Sequence, residues 1–96
     1  MRVVWTEAAL KQLESIRDYL AQTSPEYAHK IAERLVKRSE QISAFPHSGR
    51  RVPEYEIDEV RQVIESSHRL IYLIKEDQIE VLAVIHTSRR ELPQDE

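Results

Sequence analysis

Two periods divide the chain. From Ala9 to Ile42 apolar positions recur every three or four residues, and after Val60 they recur every second residue. Residues 2–5 (Arg-Val-Val-Trp) read as a short strand of β-branched and aromatic residues. Thr6 is placed to cap a helix, with Glu7 in the first turn where the helix dipole favours negative charge. Ala9, Leu13, Ile16 and Leu20 then form one apolar stripe, predicting a helix that stops near Gln22. Ser24 and Pro25 start another, the serine as cap and the proline at the first helical position, where its missing N–H costs nothing. Ala28, Ile31, Leu35 and Ile42 make its stripe, with Ala32 and Val36 beside it, and it ends before Phe45-Pro46. So short a link folds the two helices into an antiparallel hairpin.

Pro46-His47-Ser48-Gly49 breaks the pattern and contains the only glycine. The stretch to Glu59 is polar, carries Pro53, and reads as a loop or a poor edge strand. Strands are predicted at 60–65, 68–74 and 79–86, and their short connections imply an antiparallel meander. The expected fold is α+β. It is a two-layer β-α-α-β-β-β arrangement in one domain, 1–96, with the N-terminal helical hairpin on one face of an antiparallel-rich sheet.

The last hairpin can be registered from the sequence. With residues 75–78 as its loop, Ile74 faces Ile79, Tyr72 faces Val81 and Leu70 faces Ala83, with Ile85 beyond, all on the helix side. The other face then carries Arg69, Ile71, Leu73, Glu80, Leu82, Val84 and His86. Two helices cover only one face, so Ile71, Leu73, Leu82 and Val84 expose more apolar surface than water favours. Another segment or another protein must cover them.

With 96 residues the chain can build one small core, and with no cysteine it can form neither disulfides nor thiolate metal sites. No apolar run reaches the roughly 18–20 residues needed to span a bilayer. The opening MRVVWTEAAL lacks a signal-peptide hydrophobic region, so a cytoplasmic protein is expected. A net charge of −3 gives no overall attraction for a polyanion. Basic residues cluster only locally, at Lys37-Arg38, Arg50-Arg51 and Arg89-Arg90.

In the unbroken register Arg69 and His86 are diagonal neighbours, about 7–8 Å apart. An arginine for phosphate charge and a histidine for proton transfer would suit RNA cleavage. The plainer reading is an arginine paired with a carboxylate and a histidine ending a strand. His29, His47 and His68 show no helical metal spacing, so no metal is expected. One glycine cannot make a phosphate loop, no G-x-S-x-G elbow is present, and no cofactor is expected. Trp5 and Tyr72 read as core residues rather than base-stacking platforms.

The segments VVWTEAALKQLESIRDYL, FPHSGRRVPE and VRQVIESSHRLIYLIKEDQIEVLAVIHTSRRELP together resemble the ParE/RelE superfamily of toxins from bacterial type II toxin–antitoxin systems. The resemblance implies a toxin neutralised by a cognate antitoxin protein, which would cover Ile71, Leu73, Leu82 and Val84. Arg69 matches the arginine of the ribonuclease branch, for which Arg61, Arg69 and His86 would be the catalytic set, acting without metal on mRNA at the ribosome. That branch usually adds basic residues on the preceding strand and a C-terminal aromatic, whereas only Arg61 precedes here and no aromatic follows Tyr72. The ending His86-Thr-Ser-Arg89-Arg90 is more similar to the ParE branch, which poisons DNA gyrase. Arg61, Arg69, His86, Arg89 and Arg90 are therefore the toxicity candidates, with gyrase the expected target. The ribosome with mRNA is the alternative target, and a non-toxic, antitoxin-binding member a further reading.

Overall fold

Thr6 and Ser24 start the two helices in the computed structural model, which describes residues 1–88. Thr6 Oγ1 accepts the Ala9 N–H at 3.2 Å and Ser24 Oγ accepts the Tyr27 N–H at 3.2 Å. Each cap satisfies a donor that a helix leaves free in its first turn. Helix α1 runs Glu7–Ala21 and α2 runs Pro25–Ile42. Strand β1, Arg2–Trp5, precedes them. A 3-10 turn, Pro46–Ser48, and a two-residue strand β2, Arg50–Arg51, follow. Strands β3 (Val60–Glu65), β4 (His68–Ile74) and β5 (Gln78–His86) complete the described chain.

The five strands form one sheet in the order β1-β5-β4-β3-β2. β3, β4 and β5 are the expected antiparallel meander, β2 is an edge addition, and β1 lies parallel to β5. The helical hairpin packs on one face, as the two stripes require. Ala9, Ile31, Leu35 and Ile42 meet Val63, Leu70, Tyr72, Ile79, Val81 and Val84 there, with Leu13, Ile16 and Leu20 packed against them. Val36, beside the α2 stripe in sequence, is exposed.

β1 covers only the first part of β5, from Gln78 to Val81. Beyond that point α1 supplies the strand's partners. The Thr6 N–H and hydroxyl both donate to the Val81 carbonyl, at 3.1 and 3.0 Å, and Gln12 Oε1 accepts the Val84 N–H at 2.8 Å. A buried strand edge without such partners would lose about 1–3 kcal/mol per orphaned group.

The register departs from the unbroken expectation at one residue. Ile74 faces Ile79 and Tyr72 faces Val81 as predicted, but Ile71 then faces Ala83, Leu70 faces Val84, Arg69 faces Ile85 and His68 faces His86. Leu82 is the extra residue of a β-bulge. Strand side chains alternate, so one inserted residue sends every later side chain to the other face. Val84 therefore joins the helix-side core at 2% exposure, and Ala83 and Ile85 turn outward. The chain covers that outward face itself: Val52, with Tyr55 beside it, packs on Val60, Ile71, Ala83 and Ile85. Among the described residues no helix is long and apolar enough to cross a membrane.

Candidate functional site

Arg61, Arg69 and His86 fall in three different settings. Arg61 faces Tyr72 across β3 and β4, below the segment that leaves α2. Its guanidinium donates to the carbonyls of His47 (3.3 Å), Gly49 (3.1 Å) and Asp58 (2.8 Å) and pairs with the Asp58 carboxylate at 2.9 Å. Five N–H donors in a rigid fork suit this bridging of two loop segments. Tyr72, with no exposed surface, works beside it: its hydroxyl donates to the Pro46 carbonyl at 2.6 Å and accepts the Gly49 N–H at 3.2 Å. Glycine is required here by space, because a Cβ on residue 49 would meet the Tyr72 hydroxyl and lie 2.8 Å from the Gln62 carbonyl. Burial pushes the Tyr72 phenol above its ordinary pKa, so it remains a neutral donor.

Arg69 lies on the outward face with a side chain only 12% exposed. Its Nε donates to Gln62 Oε1 at 2.6 Å, and Nη2 stands 3.6 Å from Glu54 Oε1. The guanidinium is thus hydrogen-bonded from β3 and balanced by a carboxylate from the loop that covers the face. The same loop contributes Asp58, which pairs with Arg51 at 3.5 Å as well as with Arg61. This acidic loop neutralises the cations at this end of the sheet.

His86 is on the helix side, opposite His68, and not beside Arg69 as the unbroken register placed it. The bulge at Leu82 is the cause. The His68 and His86 rings meet edge to face with centroids 5.4 Å apart. They line a cavity of about 870 Å³ between α1 and the far end of β5, together with Tyr19, Tyr27 and Ser88. His68 is 8% exposed, and its Nδ1 is buried with no hydrogen-bond partner. Burial, and secondarily the charge of His86, hold the His68 imidazole below the ordinary histidine pKa.

A cation and a proton-transfer group must reach one reacting atom to cleave a phosphodiester. Arg69 and His86 stand on opposite faces of the sheet and cannot share such an atom in this arrangement. Of the four apolar residues assigned to a partner, Ile71 and Val84 are buried, Ile71 under the chain's own loop and Val84 under the helices; Leu73 and Leu82 are half-buried. Arg89 and Arg90 lie outside the described residues. Among the described residues no cluster of three or more His, Cys, Asp or Glu side chains is arranged around a metal position. Sequence reasoning missed the Tyr72–Gly49 tie and the His68–His86 pair. The lone glycine, followed 23 residues later by a strand tyrosine, was a signal for the first; nothing in the residue pattern signals the second.

Residues 3–91 match the family model described as ParE toxin of type II toxin-antitoxin system, parDE. Toxin RelE2 of Caulobacter vibrioides is 43% identical over 49 residues, 51% of this chain and 56% of that protein, so the match spans little more than half the relative's length. Among solved structures, the chromosomal ParDE toxin–antitoxin system of P. aeruginosa superposes with a TM-score of 0.73 at 24% identity, over 90% of this chain and 95% of that one. The RelBE2 toxin–antitoxin complex of Mycobacterium tuberculosis does so with a TM-score of 0.60 at 19% identity, over 88% and 95%. Likeness at these identities is likeness of fold.

Proposed function

The chain belongs to the ParE toxin family of type II toxin–antitoxin systems, and from that premise we propose that it arrests growth by inhibiting DNA gyrase and is neutralised by a cognate antitoxin protein. One observation supports the choice of target: among the described residues, Arg69 and His86, the arginine and histidine that the sequence suggested for RNA cleavage, are divided between the two faces of the sheet. Arg69 is also already bound by Gln62 and Glu54, and Arg61 by loop carbonyls and Asp58. Inhibition of an enzyme by binding needs a complementary surface and no catalytic constellation. The toxicity candidates under this reading are the exposed His86 with Arg89 and Arg90, while Arg61 and Arg69 shape the surface rather than act on a substrate. Leu73 and Leu82 are the accessible members of the apolar set proposed to meet the antitoxin.

The likeness to a protein named Toxin RelE2 favours one second reading, a RelE-like endoribonuclease that cleaves mRNA on the ribosome. Expression without the antitoxin separates the two. The gyrase reading expects filamentous cells with an induced DNA-damage response, and the ribonuclease reading expects immediate loss of translation. Harmless accumulation of soluble protein would reject both and leave an antitoxin-binding member without toxicity.

A further inference from the structure

Arg69 is held from one side and left open on the other. It stands opposite Ile64 across β3 and β4, and Gln62 lies two residues before Ile64 on the same face. Gln62 Oε1 accepts from Nε at 2.6 Å, which fixes the plane of the guanidinium. The other four of its five N–H donors belong to Nη1 and Nη2. Among the described residues these two atoms make no hydrogen bond, since Glu54 Oε1 stands 3.6 Å from Nη2, beyond hydrogen-bond distance. Neither is sealed from solvent, because His68 Nδ1 is the one described side-chain atom both buried and unpartnered. A fixed guanidinium with its fork unmet is a site prepared for an oxyanion.

We propose that the Arg69 fork binds an Asp or Glu side chain of the antitoxin, whose place Glu54 fills loosely in the free chain; the proposal rests on the antitoxin reading above. Three observations support it. The first is Glu54 itself. Its carboxylate reaches the site from an exposed loop and stops at 3.6 Å, with its side chain 41% exposed. A carboxylate arriving from another chain can meet both Nη atoms at the roughly 2.7–2.9 Å of a charge-assisted pair, which Glu54 does not. The second is Ile64, 54% exposed and directly opposite Arg69 on the outward face. Arginine beside exposed apolar surface is the make-up of a protein interface, where such groups act as anchors.

The third is the charge around the site. Arg50 faces Gln62 from β2 on this same face, exposed and without an ion pair among the described residues, and adds a second positive charge for an acidic segment. A nucleic acid would bring its row of phosphates against Glu54, Glu56, Asp58 and Glu59 of the covering loop, on a chain of net charge −3. One or two carboxylates on a protein segment avoid that repulsion. Leu73, further along β4 on the outward face, continues the surface already assigned to the antitoxin. Glu54 is thus an internal competitor that the antitoxin displaces.

The test measures affinity for two probes by fluorescence anisotropy: the cognate antitoxin, separated from the co-purified complex and labelled, and a labelled single-stranded RNA. The full chain is compared with Glu54→Gln, Arg69→Gln, the double variant, and Glu56→Gln. Glu56 is exposed in the same loop with no ion pair among the described residues, so its variant controls for net charge. Circular dichroism checks the fold of each. Glu54→Gln should tighten antitoxin binding about two- to fivefold, the range set by losing one exposed competing pair, and more than Glu56→Gln does. Arg69→Gln should weaken it at least about 30-fold, as truncating one side of an interfacial charge pair does. In the Arg69→Gln background Glu54→Gln should act no differently from Glu56→Gln. Equal antitoxin affinity in wild type and folded Arg69→Gln, or no difference between Glu54→Gln and Glu56→Gln, would overturn the proposal; the second comparison decides alone if Arg69→Gln does not fold. RNA binding strengthened by Glu54→Gln but not by Glu56→Gln, with antitoxin affinity unchanged, would overturn it in favour of phosphate. No antitoxin binding by wild type would instead reject the antitoxin reading, and the proposal with it.

Discussion

Removing one oxygen, by Tyr72→Phe, tests whether the loop after α2 is held to the sheet as described. The ring is wholly buried, and phenylalanine fills the same space, so no cavity follows. What is lost is the acceptor of the Gly49 N–H and the donor to the Pro46 carbonyl. Gly49 is buried, so its orphaned N–H costs about 1–3 kcal/mol, and the lost bond to half-buried Pro46 adds about 0.5–1.5 kcal/mol. A loss of about 2–4 kcal/mol is expected, and at about 4–8 °C per kcal/mol for a domain of this size Tm should drop by ~10–25 °C. Urea denaturation followed by circular dichroism measures it. A double-mutant cycle with Gly49→Ala sharpens the test, because the tyrosine hydroxyl is one of two obstacles to a Cβ there. Gly49→Ala should therefore cost less in the Tyr72→Phe background, with a coupling of about 0.5–3 kcal/mol. Tyr72→Phe within ~0.5 kcal/mol of wild type, or strictly additive costs, would refute the tie.

Other consequences can be checked with the same assays. Val84→Asp should unfold the protein, because a carboxylate at that position is buried without a partner, whereas Leu82→Asp, on the half-buried bulge residue, should leave it folded; both variants folding equally well would restore the unbroken register, which puts the two residues on one outward face. Gln12→Ala should cost about 1–3 kcal/mol by orphaning the Val84 N–H, read as a shift in urea midpoint. His68 has its pKa lowered on folding, so the unfolded chain binds more protons in mild acid. The stability from the neutral ring is complete above the unfolded value of about 6.5 and is lost as pH falls through the lowered folded value. Urea midpoints at pH 7.5 and 5.5 should therefore differ more for wild type than for His68→Gln.

The helical hairpin was legible because three local signals agreed. Ser24-Pro25 started α2, Thr6 capped α1, and two apolar stripes of matching period faced one another. The strands were legible for a similar reason, since alternation marks them whatever their register. The site was not, and the cause is a single residue. A bulge inserts no distinctive residue type; Leu82 suits an ordinary strand, yet it reverses the facing of Val84, Ile85 and His86. The covering loop was missed for a different reason. Val52 and Tyr55 share a polar, proline-containing segment with only one other apolar residue, Ile57, and their spacings of three and two define neither a helical nor a strand period. Arg69 was read correctly as one half of a charge pair, but its partners Gln62 and Glu54 come from different elements, which only tertiary structure assembles.

The choice of target is the central claim, and two reactions run side by side address it most directly. Purified protein is added to gyrase supercoiling a relaxed plasmid and, in parallel, to programmed ribosomes carrying a defined mRNA. The account predicts loss of supercoiling or trapped, cleaved DNA complexes, with the mRNA intact, and no rescue of gyrase by Arg69→Gln as though a catalytic residue had been removed. Cleavage of the mRNA with gyrase untouched, abolished by Arg69→Gln or His86→Gln at the ~10²–10⁴-fold typical of losing an acid–base group, would contradict it.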